Sequence, residues 1–350
     1  MNTKNTLRNT AVDIIKSIAI LGVIIIHTCS GGYFYPVKSA DFGFTVFWGS
    51  ISRAAVPLFL MCSGALMLPR EKALSIKKLY TKNILRLLIA MLFWAMAYKI
   101  YHLLATDSFS AANLFFSFKE VLLFKQEFHL YYIHIMFLVY AFLPVTRSFV
   151  SGASELVLYY FLAVWFAGGI LYPTLRIFRP INLIGGIPAQ YYLNMTYTSI
   201  GYGILGYILN KKQISLRTGF TLTILGFLSV FLPTYFMSVK NGYLFEHFLE
   251  GMSVGVCMFA CGIFILGKHF SEFAARSKKI SAVFTHISKA SFCIYLIHVF
   301  VIYLFEKIGF VSTSFPTILS IPCISVCNLA ICFLIYIPLS KLPLVKKWLI

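Results

Sequence analysis

The chain has 350 residues, of which 59% are hydrophobic and 12% are charged, and its mean hydropathy is +0.84. Soluble domains carry about 45–50% apolar and about 25% charged residues, so this composition excludes a water-soluble fold. Its high hydrophobicity also excludes intrinsic disorder. The net charge of +19 would suggest a nucleic-acid partner in a soluble protein. In a membrane protein, topology explains the same charge, and we expect no nucleic-acid partner.

Ten apolar stretches have about the 20 residues that a membrane-spanning helix needs. The sequence therefore predicts an all-α, polytopic membrane bundle of about ten helices that forms one domain over residues 1–350. The segment 111–124 is predicted to be an interfacial or re-entrant helix. The predicted spans cover roughly residues 14–32, 44–68, 84–104, 129–146, 155–172, 191–209, 218–236, 248–267, 288–308 and 317–338.

The basic residues alternate between the segments that connect these spans. Eighteen Lys and Arg lie in the termini and in every second connection, whereas six lie in the connections between them. Cytoplasmic loops of membrane proteins carry such an excess of positive charge. The pattern predicts cytoplasmic N- and C-termini and a multi-pass protein of a bacterial cytoplasmic (inner) membrane, in contact with membrane lipids.

The first predicted helix carries three ionisable side chains, which are costly inside a membrane and usually face the bundle interior. Asp13 and Lys16 are three residues apart, so we predict a structural ion pair near the cytoplasmic end. His27 follows Lys16 by eleven residues and lies on the same face, about 16 Å farther along the helix. A buried histidine is often only a structural hydrogen-bonding group, but its place on a charged stripe favours a functional role.

The second predicted helix carries Arg53, which keeps its proton and needs an acceptor or an anion in place of water. Pro57 follows four residues later and lacks the amide that would bind the Arg53 carbonyl. We therefore expect a polar backbone group beside a fixed cation, in the same half of the membrane as His27.

Two other predicted helices present polar aromatic faces. His129 and Tyr132 share a face of the fourth helix, and Tyr295 and His298 share a face of the ninth. We predict that these four residues bind substrate, although Tyr and His stripes also form belts at membrane interfaces.

A basic cluster formed by Lys77, Lys78, Lys82 and Arg86 lies at the start of the third helix. Such clusters usually record topology and contact lipid headgroups. They are also suited to holding the phosphates of a soluble donor. The sequence has no zinc motif, and we predict neither a bound metal nor a prosthetic group.

In its motifs the chain resembles the acyltransferase 3 family of integral membrane acyltransferases. The resemblance extends from about residue 10 to residue 338 and looks closest to compact members of the enterobacterial common antigen O-acetyltransferase type. Five segments resemble family motifs in the family's order: Asp13 to Ala19 with His27, Arg53 to Gly64, Phe128 to Tyr132 with Tyr140 and Pro144, Tyr202 to Tyr207, and Ser291 to His298.

The resemblance implies acyl transfer from cytoplasmic acyl-CoA, such as acetyl-CoA, to a hydroxyl of a cell-surface or lipid-linked glycan. On this basis we expect His27 to be the catalytic general base or a transient acyl carrier. We expect Arg53 to stabilise the oxyanion of the tetrahedral intermediate. Lys16, Lys82 and Arg86 are expected to hold the anionic CoA.

Two positions depart from the family pattern. Lys16 replaces the usual arginine, which keeps the charge but loses the bidentate fork. The family's R-x-x-R segment reads Asn83-Ile84-Leu85-Arg86 here, with Lys82 as a substitute for the first arginine.

A second hypothesis is a secondary transporter or flippase for a glycan or a lipid-linked sugar. Ten helices, proline-interrupted spans and intramembrane charges also suit carriers. The ordered motifs favour the enzyme, and no internal inverted repeat is visible in the sequence.

Overall fold

A computed structural model of the chain describes residues 9–69, 74–190 and 192–350. This described part contains α-helices and short 3-10 or π turns but no β-strand, which confirms the predicted all-α membrane bundle. The helices are α1 (Thr10–Thr28), α2 (Ala40–Ser52), α3 (Ala55–Met67), α4 (Ile76–Lys78), α5 (Leu85–Ala105), α6 (Ala111–Leu122), α7 (Tyr131–Gly152), α8 (Glu155–Phe166), α9 (Tyr172–Leu175), α10 (Met195–Lys211), α11 (Leu216–Asn241), α12 (Val254–Ala274), α13 (Lys278–Lys307), α14 (Thr317–Leu339) and α15 (Pro343–Trp348).

Small polar side chains begin most of the long helices. Asn9 Oδ1 accepts from the amide of Val12 at the start of α1, and Ser39 Oγ accepts from the amide of Phe42 at the start of α2, both at 3.2 Å. Serine or asparagine caps also begin α6, α8, α10, α11, α12 and α13. Each cap satisfies an amide that has no partner within the first helical turn. Such partners matter in a membrane because lipid cannot replace them.

Nine helical stretches of the described residues are long and apolar enough to cross a membrane, one fewer than the ten predicted spans. The remaining predicted span, 191–209, corresponds to α10. This helix has 17 residues and is about 26 Å long, slightly short of the about 30 Å hydrocarbon core. Most of α10 is buried against α3 and α7, so it lies inside the bundle.

The helix α1 is the centre of the bundle. In its most apolar window 72% of the residues are buried, whereas the corresponding value for Ile76–Ala105 is 22%. It packs against α2, α3, α12, α13 and α14. The polar stripe of α1 therefore faces protein on nearly all sides, as intramembrane charges require.

The amphipathic helix α6 packs against α5 and leaves three aromatic rings exposed. Phe115, Phe116 and Phe118 are exposed, whereas Ser117 and Val121 are buried. One apolar face without a protein partner is the pattern that an interfacial helix presents to lipid.

The helices α3 and α10 approach each other closely at glycines. A Cβ atom added at Gly64 would lie 1.8 Å from the carbonyl oxygen of Gly203, and one added at Gly206 would lie 2.2 Å from that of Met61. Both distances are far below van der Waals contact, and backbone atoms cannot rotate away. Small residues allow this crossing in the way they do in other membrane helix pairs.

We predict that Gly64→Ala destabilises the protein by about 1–3 kcal/mol, because the new methyl group forces α3 and α10 apart. Gly203→Ala is the matched control, since a Cβ atom there would meet no atom closer than 3.9 Å. Thermal unfolding of both variants in the same detergent checks this prediction. Equal melting temperatures for the two variants would contradict it.

Candidate active site

Two adjoining cavities are lined by most of the predicted site residues, whereas Asp13 and His298 line neither of them. The larger cavity, of about 860 Å³, is lined by Lys16, Lys82 and Arg86. The smaller cavity, of about 80 Å³, is lined by His27, Arg53 and His129. The structure therefore places the residues predicted to hold the donor in one cavity and those predicted for catalysis in the other. Two of the predicted substrate-binding residues, Tyr132 and Tyr295, line both cavities.

Three histidines from distant parts of the chain form a cluster at the smaller cavity. His27 lies in the last turn of α1, His129 lies just before α7, and His298 lies in the middle of α13. The ring centroids of His27 and His298 are 5.2 Å apart, those of His129 and His298 are also 5.2 Å apart, and those of His27 and His129 are 6.4 Å apart. The fold thus brings the three imidazoles into mutual contact.

Backbone hydrogen bonds hold the cluster in place. The Tyr295 hydroxyl donates to the carbonyl of His129 at 2.6 Å, and Asn328 Nδ2 donates to the carbonyl of His298 at 3.0 Å. His298 Nδ1 lies 2.8 Å from the Tyr295 carbonyl oxygen. Because a carbonyl only accepts, this nitrogen carries a proton, and the neutral ring presents its lone pair at Nε2.

Several buried nitrogens of the cluster have no hydrogen-bond partner within the described part of the chain. These are both ring nitrogens of His129 and Nε2 of His298. The two residues are 1% and 0% exposed. Their arrangement suits groups that exchange protons with a substrate or orient it.

Arg53 lies at the break between α2 and α3. Its own amide donates to the Ser50 carbonyl, and the next helical bond runs from the amide of Leu58 to the Ala54 carbonyl. Pro57 lies between these two bonds and has no amide, which explains the break. The guanidinium lines the smaller cavity with His27, and its Nε has no partner in the described structure. A fixed cation therefore faces the same small space as the histidines.

Two basic residues that follow α4 in the chain, Lys82 and Arg86, line the larger cavity. Lys82 is exposed, and Arg86 is partly buried. One Arg86 Nη donates to the backbone carbonyl of Ile350, and the guanidinium carbon lies 5.8 Å from the centre of the Phe292 ring. The Arg86 side chain is thereby held at the wall of the cavity.

The N-terminal part of the polar stripe on α1 is hydrogen-bonded to α13. Thr285 Oγ1 donates to an Asp13 carboxylate oxygen at 3.2 Å, and Lys16 Nζ donates to the Ser288 carbonyl at 3.3 Å. Asp13 is buried, and Lys16 reaches the larger cavity. The ion pair predicted between these two residues stays a prediction.

The lining of the larger cavity also includes residues that were not among the predicted site residues, such as Phe59, Ser63, Lys347 and Trp348. In the sequence Lys347 is one of several basic residues of the C-terminal segment, and only the alternation of charge marks it. Phe59 and Ser63 lie in the segment Arg53 to Gly64, whose resemblance to a family motif was the available signal. In the described part of the chain, no group of three or more His, Cys, Asp or Glu side chains is placed to hold a metal ion.

Comparison with known proteins gives one match. The acyltransferase 3 family model, described as an acyltransferase domain, matches residues 9–337, which is nearly the whole chain. No curated protein and no solved structure matches the chain.

We predict that Tyr295→Phe lowers the free energy of unfolding by about 1 kcal/mol, because it removes the buried hydrogen bond that holds the His129 backbone. Tyr160→Phe serves as the control, since Tyr160 is 70% exposed on α8. The measurement is thermal unfolding of the two variants and the parent protein in one detergent. A Tyr295→Phe protein as stable as the control would contradict the prediction.

Proposed function

The chain belongs to the acyltransferase 3 family of membrane proteins, and from this premise we propose that it transfers an acetyl or other short acyl group from acyl-CoA to a hydroxyl of a cell-surface or lipid-linked glycan. The observation that carries the proposal is the pair of adjoining cavities, one basic and one lined by histidines and an arginine. A basic cavity suits an anionic donor, and the adjoining polar cavity suits the chemistry of transfer.

The donor occupies the larger cavity. Its phosphates contact Lys82, Arg86 and Lys347, whose side chains line this space from two separate parts of the chain. Arginine and lysine bind phosphate through charge-assisted hydrogen bonds. Since acyl-CoA is a cytosolic compound, this end of the bundle faces the cytoplasm, in agreement with the orientation predicted from loop charges. Lys16 lines the same cavity and adds a positive charge that attracts the anionic donor.

His27 acts as the general base of the transfer. Its neutral imidazole takes the proton of the sugar hydroxyl as the hydroxyl oxygen bonds to the thioester carbonyl carbon. Arg53 stabilises the negative charge that develops on the carbonyl oxygen. The intermediate then collapses, the carbon–sulfur bond breaks, and the proton held by His27 passes to the departing CoA thiolate. His129 and His298 contact the His27 ring and orient it.

We predict that His27→Ala lowers the transfer rate by about 10²–10⁴-fold, because the general base is lost. Glycan O-acylation is measured by mass spectrometry in cells that lack the chromosomal gene and express either the native protein or His27→Ala. His286→Ala is the control, since His286 is exposed on the outside of α13.

The outcomes of this experiment separate the two hypotheses. A His27→Ala protein that inserts normally and still acylates glycans would refute the assignment of His27. A protein that changes the amount of surface glycan without consuming acyl-CoA would instead be a transporter or flippase.

We predict that Arg86→Ala raises the KM for acetyl-CoA by about tenfold or more and changes kcat little. A hydrogen bond to a charged group contributes about 1.5–3 kcal/mol, and about 1.4 kcal/mol corresponds to tenfold in affinity. Lys77→Ala is the control, because Lys77 is exposed nearby but does not line the cavity. A fall in kcat at unchanged KM would show that Arg86 does not bind the donor.

A further inference from the structure

A wall of three aromatic rings separates the two cavities. Phe59, Tyr132 and Tyr295 are the residues common to both linings. The ring centroids of Phe59 and Tyr132 are 6.1 Å apart, and those of Tyr132 and Tyr295 are 5.7 Å apart. Aromatic rings at these separations are in contact. The wall is therefore closed between neighbouring rings.

The three rings are held to different degrees. Tyr295 is 6% exposed, donates its hydroxyl to the His129 carbonyl at 2.6 Å and stacks on Phe292. Phe59 and Tyr132 are only partly buried. The Phe59 side chain has no polar group that could anchor it. Tyr295 is thus the fixed part of the wall, and Phe59 is held by packing alone.

The wall lies between the two groups of residues that the proposed reaction needs. Lys82 and Arg86 line only the larger cavity, and His27 and Arg53 line only the smaller one. A donor whose phosphates bind in the larger cavity therefore extends past these rings to bring its acyl end to His27. Beyond the wall the acyl group enters a space of about 80 Å³, compared with about 860 Å³ on the donor side.

We infer that Phe59 determines which acyl groups the enzyme transfers, because its ring bounds the small cavity that must hold the acyl group at His27. This inference rests on the proposed function and names its donor class as short-chain acyl-CoA. Shortening the Phe59 side chain enlarges the smaller cavity where the ring contacts Tyr132, whereas Tyr295 stays bound to the His129 backbone. A longer acyl chain then fits beside His27.

The experiment compares two donors in the native protein and in Phe59→Ala. Inside-out membrane vesicles containing either protein are incubated with radiolabelled acetyl-CoA or butyryl-CoA, and label is counted in the carbohydrate fraction. A single methylene in an apolar pocket changes discrimination by about tenfold or more. We expect the ratio of kcat/KM for butyryl-CoA to that for acetyl-CoA to rise at least about tenfold in Phe59→Ala.

Two further variants keep the test decisive. Met136→Ala shortens an apolar side chain that lines the larger cavity but does not belong to the wall. In this variant the ratio of kcat/KM for butyryl-CoA to that for acetyl-CoA should stay at the native value. Phe59→Leu keeps most of the side-chain volume and replaces Phe59→Ala if the alanine variant fails to fold. The butyryl-to-acetyl ratio of kcat/KM should also rise in Phe59→Leu.

Each result supports or overturns a definite claim. A raised ratio in the Phe59 variants alone supports the inference. Acetyl transfer with an unchanged ratio, or an equal rise in Met136→Ala, overturns the inference and leaves the proposed function intact. No label from either donor in the native protein overturns both.

Discussion

The packing of α1 against α13 is the contact on which the rest of the structure depends. At one end Asp13 and Lys16 bind Thr285 and the Ser288 carbonyl, and at the other end the ring of His27 contacts a second imidazole on α13. A helix that carries charge through a membrane needs protein partners along its length, because lipid offers none. The same contacts that satisfy α1 also align its polar stripe with both cavities.

A second constraint is the close crossing of α3 and α10. This crossing joins two segments that resemble family motifs, one containing Gly64 and the other containing Gly203 and Gly206. Gly64 and Gly206 are therefore explained by backbone contact and not by chemistry. The crossing fixes the position of α3, which carries Phe59 at the aromatic wall and begins directly after the break at Arg53. Packing and site geometry are thus linked through one helix.

Much of the architecture was predictable, because the signals for it are local. Membrane helices need about 20 apolar residues, so nine predicted spans reappear as membrane-length helices in the described part of the chain. The span 191–209 reappears as the shorter α10, since this helix is buried by protein and need not match the full thickness of lipid. Arg53 and His27 stand out in the sequence because a charge or an imidazole is rare inside a membrane.

The sequence by itself determined the membrane class, the helical spans and the individual polar residues that stand out against an apolar background. Only the tertiary structure decided which of these residues meet: His27, His129 and His298 belong to three separate helical segments, and Lys347 joins the basic cavity from the C-terminal helix. It also placed Phe59, one of 35 phenylalanines in the chain, at the boundary of both cavities. The physical reason is that helix formation in a membrane depends on local composition, whereas the meeting of distant residues at one site depends on packing between helices. In the sequence, an apolar ring at a cavity wall looks the same as one that faces lipid.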